Sequence, residues 1–211
     1  GLISLSFTIY LIPGLWGAPL KGLSGYLPPL STQDFNLHLL SSSPQRHENV
    51  LCHDSPKHTD LFKYPHNLRG YFDYEEALSC AKDRDKLLFV SFTGHGCVNC
   101  REIEARIWSD AGVLQRFRED FILVSLFVDE KTELPLEESY ISSYDGKVKR
   151  TIGQQNSDFQ ITHFQNNAQP YYIILDPHTE LPVVDPYTYS LDIKDYISFL
   201  DSAREIWLSR D

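Results

Sequence analysis

Cys97-Val98-Asn99-Cys100 is the stretch of this chain whose residue types and spacing could do chemistry. Two thiols three positions apart can close a disulfide across one helical turn and reopen it on reduction. The preceding Leu87-Leu88-Phe89-Val90-Ser91-Phe92 is an apolar run broken by Gly94 and Gly96, and it reads as a buried strand. A polar–apolar periodic segment follows and reads as a helix. With Cys97 opening that helix, its sulfur faces unpaired backbone N–H groups and the positive end of the helix dipole, which favour a thiolate. Cys100 lies one turn later on the same face. That geometry makes Cys97 the attacking thiolate and Cys100 the resolving one.

Three other uses of the pair compete. A zinc site needs a second pair of ligands at metal spacing, and no other Cys-x-x-Cys or His-x-x-x-His exists in the chain. Haem attachment needs His directly after the second cysteine, where Arg101 stands. A purely structural bridge remains open, but across one helical turn it closes too small a loop to stabilise much. Redox chemistry is therefore the expectation, with neither a metal nor a cofactor.

The elements that must position the pair can be read from the rest of the chain. Its 211 residues allow one domain with appendages, and a 42% hydrophobic fraction is ample for a packed core. The net charge of −10 argues against a nucleic-acid partner. That charge is uneven: residues 1–70 carry five Lys/Arg against four Asp/Glu, and residues 71–211 carry 14 against 25, so the acidity belongs to the part that holds the cysteine pair. Four cysteines in this length are too few for a disulfide scaffold. Methionine is absent even at position 1, so a processed chain or a piece of a longer one is expected.

Residues 1–20 contain no charged side chain, and Pro13-Gly14 ends their helical part near Ile12. A bilayer takes about 20 apolar residues, and a signal peptide wants a basic start. The expectation is the end of a truncated transmembrane helix, with Tyr10 and Trp16 near the interface; a buried core segment is the alternative. Residues 21–70, with Pro28-Pro29 and Ser41-Ser42-Ser43-Pro44, read as a linker. Their His38, His47, His53, His58, His66 and Cys52 match no ligand spacing, and Cys52 reads as a bystander.

Residues 71–211 read as the folded domain. A helix over 73–85 places Tyr74, Ala77, Leu78 and Ala81 on one apolar face, with Cys80 as a small thiol on its flank. After the cysteine helix, Ser109-Asp110 offers a fresh N-cap and so a kink or a new helix. Ile122–Asp129 is a second strand, apolar nearly throughout. Residues 130–156 read as an insertion with a hairpin at Asp145-Gly146, and 157–165 as a short helix. Tyr171–Asp176 is a strand led by Pro170, whose missing N–H marks a special backbone position. An edge strand over 183–189 and a helix over 191–209, with Ile193, Ile197, Leu200 and Trp207 on one face, complete the chain. The order defines an α/β, thioredoxin-like fold: a mixed central sheet flanked by helices, with an N-terminal extension and an inserted hairpin.

Phe92-Thr93-Gly94-His95-Gly96-Cys97-Val98-Asn99-Cys100-Arg101-Glu102, Asn167-Ala168-Gln169-Pro170-Tyr171 and Tyr71-Phe72-Asp73-Tyr74 resemble the C-terminal periplasmic domain of the thiol:disulfide interchange protein DsbD family, in its Bacteroides-like form. The resemblance extends to Ile9–Gly17, which is similar to the end of that family's electron-carrying membrane domain. It implies a protein-disulfide reductase on the periplasmic face of the bacterial inner membrane. Electrons would come from the membrane domain of the same longer protein, reduce the Cys97–Cys100 disulfide, and leave to periplasmic thiol carriers, with a link to cytochrome c biogenesis. It also implies that Pro170 is the cis-proline facing the disulfide and that Glu104 tunes the nucleophile's pKa. One position departs: Ser91 stands where the family commonly has a buried Asp.

A periplasmic oxidase or isomerase is the rival within the enzyme class, and Val98-Asn99 argues against a strong oxidant because no His lies between the cysteines. A non-catalytic partner-binding module in cytochrome c maturation, with a structural disulfide, is the rival from another class. Two further expectations concern geometry. Gln169–Pro170 is expected to be a cis bond lying against the Cys97 sulfur, from the proline that opens a strong strand after the redox helix together with the resemblance. Glu104, seven residues after Cys97, lies two turns along the same helical face.

Overall fold

The computed structural model describes residues 1–16, 20, 23, 26 and 51–210. The stretch 27–50 of the expected linker lies outside the described residues. Helix α1 (Leu2–Leu11) and a 3-10 turn (Ile12–Trp16) form the N-terminal segment, and α1 buries no residue. Among the described residues no helix is long and apolar enough to cross a membrane.

The folded part runs α2 (Tyr74–Arg84), β1 (Leu87–Thr93), α3 (Val98–Arg106), α4 (Ala111–Glu119), β2 (Phe121–Phe127), β3 (Tyr140–Ile141), β4 (Val148–Lys149), α5 (Ile152–Phe164), β5 (Tyr171–Leu175) and α6 (Ile193–Leu208). β1 is the middle strand of the order β2-β1-β5. It pairs parallel with β2, Leu87 opposite Phe121, and antiparallel with β5, Phe92 opposite Tyr171. All seven of its residues are buried, as a strand covered on both faces must be. The period-2 alternation divides the core. Leu87 and Phe89 face α3, α4 and α6, among Ile103, Trp108, Phe117 and Tyr196. Leu88, Val90 and Phe92 face the opposite way, among Ala77, Leu78, Ala81 and Ile173.

Four helices of the folded part start with a residue type that satisfies their free amides. Asp73 accepts from Glu76 N, Asp110 from Gly112 and Val113 N, Thr151 from Gln154 N, and Asp192 from Lys194 and Asp195 N. Asp110 is the fresh cap expected after the cysteine helix, so α3 and α4 are separate helices. Thr151 starts α5 earlier than the expected 157. Gly153 makes this possible, since a Cβ there would sit 2.5 Å from the Glu130 backbone; the missing side chain lets α5 lie against the end of β2. The insertion does carry a hairpin, β3 against β4, with Gly146 at φ +69° in its turn.

Four expectations are corrected. The 183–189 edge strand shrinks to isolated bridges, Leu175 to Pro182 and Tyr172 to Tyr187, because Pro182 and Pro186 cannot donate to a ladder. The buried face of α6 is Tyr196, Phe199, Leu200 and Ala203, while Ile193, Ile197 and Trp207 pack at its rim; the aromatic rings take the core. Residues 51–70 are not a free tether. Phe62 is 4% exposed and stacks on Phe127 at 4.3 Å, and Leu68 is buried in the core. Cys52 is no bystander and Cys80 no free thiol: they form a disulfide, Cα–Cα 5.6 Å, which pins this arm to α2.

The 28-residue separation of Cys52 and Cys80 sets the bridge's effect, because a loop of that length loses much conformational entropy in the unfolded chain when closed. Replacing both residues by serine is expected to lower unfolding stability by about 3 kcal/mol. Urea unfolding of the oxidised protein and the double variant, with the Cys97–Cys100 bridge intact in both, checks this.

Candidate active site

Cys97 is the N-cap of α3. Its backbone is extended (φ −79°, ψ 95°), and its Sγ accepts a hydrogen bond from Cys100 N at 3.1 Å, the place an Asp or Thr oxygen takes in the other helices of the folded part. The Cys97–Cys100 disulfide closes with Cα–Cα 5.3 Å. The two sulfurs differ in access: Cys97 is half-buried, whereas Cys100 is 1% exposed. An attacking thiolate must be reachable and a resolving one need not be.

The loop between β1 and Cys97 is held from the carboxyl end of β2. His95 N and Gly96 N donate to the two carboxylate oxygens of Asp129, each at 2.8 Å. A Cβ on Gly94 would meet that carboxylate at 2.9 Å and push it from the loop. The His95 ring hydrogen-bonds Glu130 through Nε2 at 2.7 Å and packs beside the stacked Phe62 and Phe127 rings, at 5.8 and 4.9 Å. Burial works to raise the Glu130 carboxyl, but hydrogen bonds from His95, Thr132 and Lys131 outweigh it and hold the group down at about 2. Arg101 donates to the His95 carbonyl from α3. Asp129 and Glu130 were not singled out from the sequence. Their signal was an acidic pair directly after an apolar strand, at the sheet end where the cysteine pair emerges.

Glu104 stands on α3 with Cys97 and Cys100, and its carbonyl meets His66 Nε2 at 2.7 Å. Burial pushes its carboxyl up to about 7, opposed by Arg101, and its charge reaches the phenols of Tyr64, Tyr172 and Tyr196. It lines a cavity of about 440 Å³ together with Tyr64, His95, Arg101 and Ser125. Ser91 lies opposite Ser125 in the β1–β2 register, on the face that looks toward α3. Two small hydroxyl residues side by side leave room there, and the buried carboxyl of this region comes from the helix rather than from the strand.

The Gln169–Pro170 peptide is cis, as expected. Pro170 is buried, and the pairing of Tyr171 with Phe92 sets it level with Thr93, at the sheet end that carries the cysteine pair. Fully buried Gln160 supports this turn by donating to the Ala168 carbonyl at 2.9 Å. Sequence reasoning missed Gln160, since a lone glutamine within a helix carries no signal.

A family model described as thioredoxin-like matches residues 68–177, more than half of the chain. The chain belongs to this family and is a thioredoxin-like redox domain, of the thiol–disulfide oxidoreductase class in general terms. Among solved structures it is similar to a thioredoxin from Thermus thermophilus, at 19% identity and TM-score 0.47 over 64% of this chain and 86% of that one. It is also similar to the DsbH oxidoreductase, at 17% identity and TM-score 0.49 over 69% and 92%. A redox protein from Chlamydomonas reinhardtii matches at 16% identity and TM-score 0.42 over 63% and 33%. No curated protein matches the chain.

Removing the Glu104 charge is expected to act on both reactivity and stability. Glu104→Gln should lower the thiol pKa of Cys97 in the reduced protein, because an ionised carboxylate nearby disfavours a thiolate. Its folded-state pKa of about 7 lies above the ordinary 4.5, so the folded protein binds the extra proton and loses stability as pH rises from 4.5 to 7. At 1.36 kcal/mol per pKa unit, reduced for the side chain's partial access to water, the loss is on the order of 2 kcal/mol. Denaturant unfolding at pH 5 and pH 8 should show this slope in the parent and a flatter one in Glu104→Gln.

Proposed function

We propose that this domain is a protein-disulfide reductase that relays electrons from a membrane electron-transfer domain of the same longer protein to periplasmic thiol carriers, as its DsbD-like motifs imply. Residues 1–20 are the end of that membrane segment, and the chain works on the periplasmic side of the bacterial inner membrane. The observation that carries the reading is the asymmetric pair: a half-buried, helix-capping Cys97 beside a 1% exposed Cys100.

In the reduced domain the Cys97 thiolate attacks one sulfur of a carrier disulfide. A mixed disulfide forms and the first carrier thiolate leaves. The Cys100 thiolate then attacks Cys97 Sγ, closes the Cys97–Cys100 bridge and releases the second carrier thiolate. Two electrons pass to the carrier, and two protons follow them to its thiolates. The direction is supported by charge. Strong oxidants stabilise their thiolates, whereas here Asp129 and Glu130 flank the loop, Glu104 lies on the same helix, and Val98-Asn99 offers no cation between the cysteines.

Two measurements test this. The reduction potential against glutathione should lie at or below about −220 mV, and a value near the −120 mV of strong oxidants, on the order of 100 mV higher, would favour the oxidase reading. Cys100→Ser should accumulate a stable mixed disulfide with oxidised glutathione, and Cys97→Ser little or none. Equal trapping by the two variants would overturn the assigned roles. Cys52 and Cys80 stay native in both, because their bridge holds the arm in place.

A further inference from the structure

We propose that Asp129 is the positioning residue of the redox loop: by gripping the His95 and Gly96 amides from the end of β2, it sets where Cys97 stands and withholds those two donors from its sulfur. The inference rests on the reading of Cys97 as the reactive thiol and goes beyond the roles of Cys97, Cys100, Pro170 and Glu104. It stands on three observations. Both carboxylate oxygens are engaged, each by one loop amide at 2.8 Å. Those amides belong to the two residues directly before Cys97. Gly94 leaves room for the carboxylate that even an alanine Cβ would press at 2.9 Å.

The chemistry follows from competition for donors. A thiolate at a helix N-terminus is stabilised by every amide that can turn toward it. Cys97 Sγ already takes the Cys100 amide. Of the amides that lead up to the sulfur, that of Cys97 goes to the Gly94 carbonyl, and Asp129 holds those of His95 and Gly96. Its negative charge, seated at the loop, acts in the same sense by disfavouring a second negative charge nearby. The other charged groups of this region are Glu104 and Arg101 on α3, with Glu130 and His95 paired on the far side of the loop. Asp129 thus acts through the loop rather than by touching a reacting atom. Its effect is to favour the disulfide over the dithiol.

The test separates position from charge. Asp129→Asn removes the charge and turns a donor toward one of the two amides. Gly94→Ala keeps the charge but pushes the carboxylate off the loop. Asp83→Asn, an exposed position on α2, controls for net charge. Three quantities are read on each protein: exchange of the His95 and Gly96 amides, the Cys97 thiol pKa by alkylation rate against pH, and the equilibrium constant with glutathione. Asp129→Asn and Gly94→Ala should both speed exchange of the two amides and lower the Cys97 pKa. Asp129→Asn should shift the equilibrium toward the dithiol by about tenfold, equivalent to about 30 mV. Asp83→Asn should leave all three unchanged. If Gly94→Ala matches the parent, or if all charge-removing variants behave alike, the positioning role is overturned. The outcome is independent of the absolute potential. A parent protein that proves to be an oxidant sinks the reductase reading, and the shift between parent and variant still decides the role of Asp129.

Discussion

A sulfur atom caps a helix here, and the rest of the structure is arranged to make that possible. The four free amides at a helix start need acceptors, and α3 is capped by Cys97 Sγ where the other helices of the folded domain use Asp or Thr oxygens. A thioether-like or disulfide sulfur is a weak acceptor, so the helix gains little until the sulfur becomes a thiolate. The capping position is therefore also the point where an added electron pair is best accommodated. To deliver a sulfur there, β1 must end at a defined height. It does so because all seven of its residues are buried between two helical layers and its register is fixed on both sides.

Charge then decides how far this advantage goes. A helix N-terminus is worth about 0.3–1 kcal/mol to a nearby anion, rising to about 2 in partly buried settings. A shift of one pKa unit is about 1.4 kcal/mol, so a single well-placed carboxylate can cancel the helix effect. Asp129 and Glu130 flank the loop, and Glu104 on α3 is buried enough to titrate at about 7. A carboxylate on the helix that carries Cys97 disfavours a second negative charge there. The acidity seen in the net charge of residues 71–211 is in part concentrated where the electrons move.

What could be read in the residues and what could not divides along range of interaction. The β1 strand, the Cys97 start of α3, the Asp110 cap and the Asp145-Gly146 hairpin all follow from contacts within a few positions, and each stands where local chemistry puts it. Pro170 was legible because a proline that leads a strong strand has no N–H for the ladder and because the resemblance marked it as the cis-proline. Asp129 was not, since its partners His95 and Gly96 are 34 and 33 positions away and only the parallel pairing of β1 with β2 brings them level. The α6 face was misplaced because apolarity favoured Ile193 and Trp207, whereas the packing of Tyr196 against Phe117, Tyr172 and Tyr187 needed rings inside. The arm over 51–70 has no period at all. Its fold comes from Phe62 stacking on Phe127, from His66 on the Glu104 carbonyl, and from one covalent bond.

That bond and the one at Cys97 show why two disulfides of similar reach do different work. Cys52–Cys80 spans 28 positions, so closing it removes much of the freedom of the unfolded chain, and opening it releases an arm that carries part of the aromatic core. Such a bridge is a poor place to store electrons, because each reduction would also loosen the fold. Cys97–Cys100 spans three positions within one helical turn. Its closure constrains almost nothing that the helix has not already fixed, so oxidation and reduction leave the fold at nearly the same free energy. Its equilibrium is then governed by the local charges and amides around one sulfur, which is the condition under which Asp129, Glu130 and Glu104 can set it.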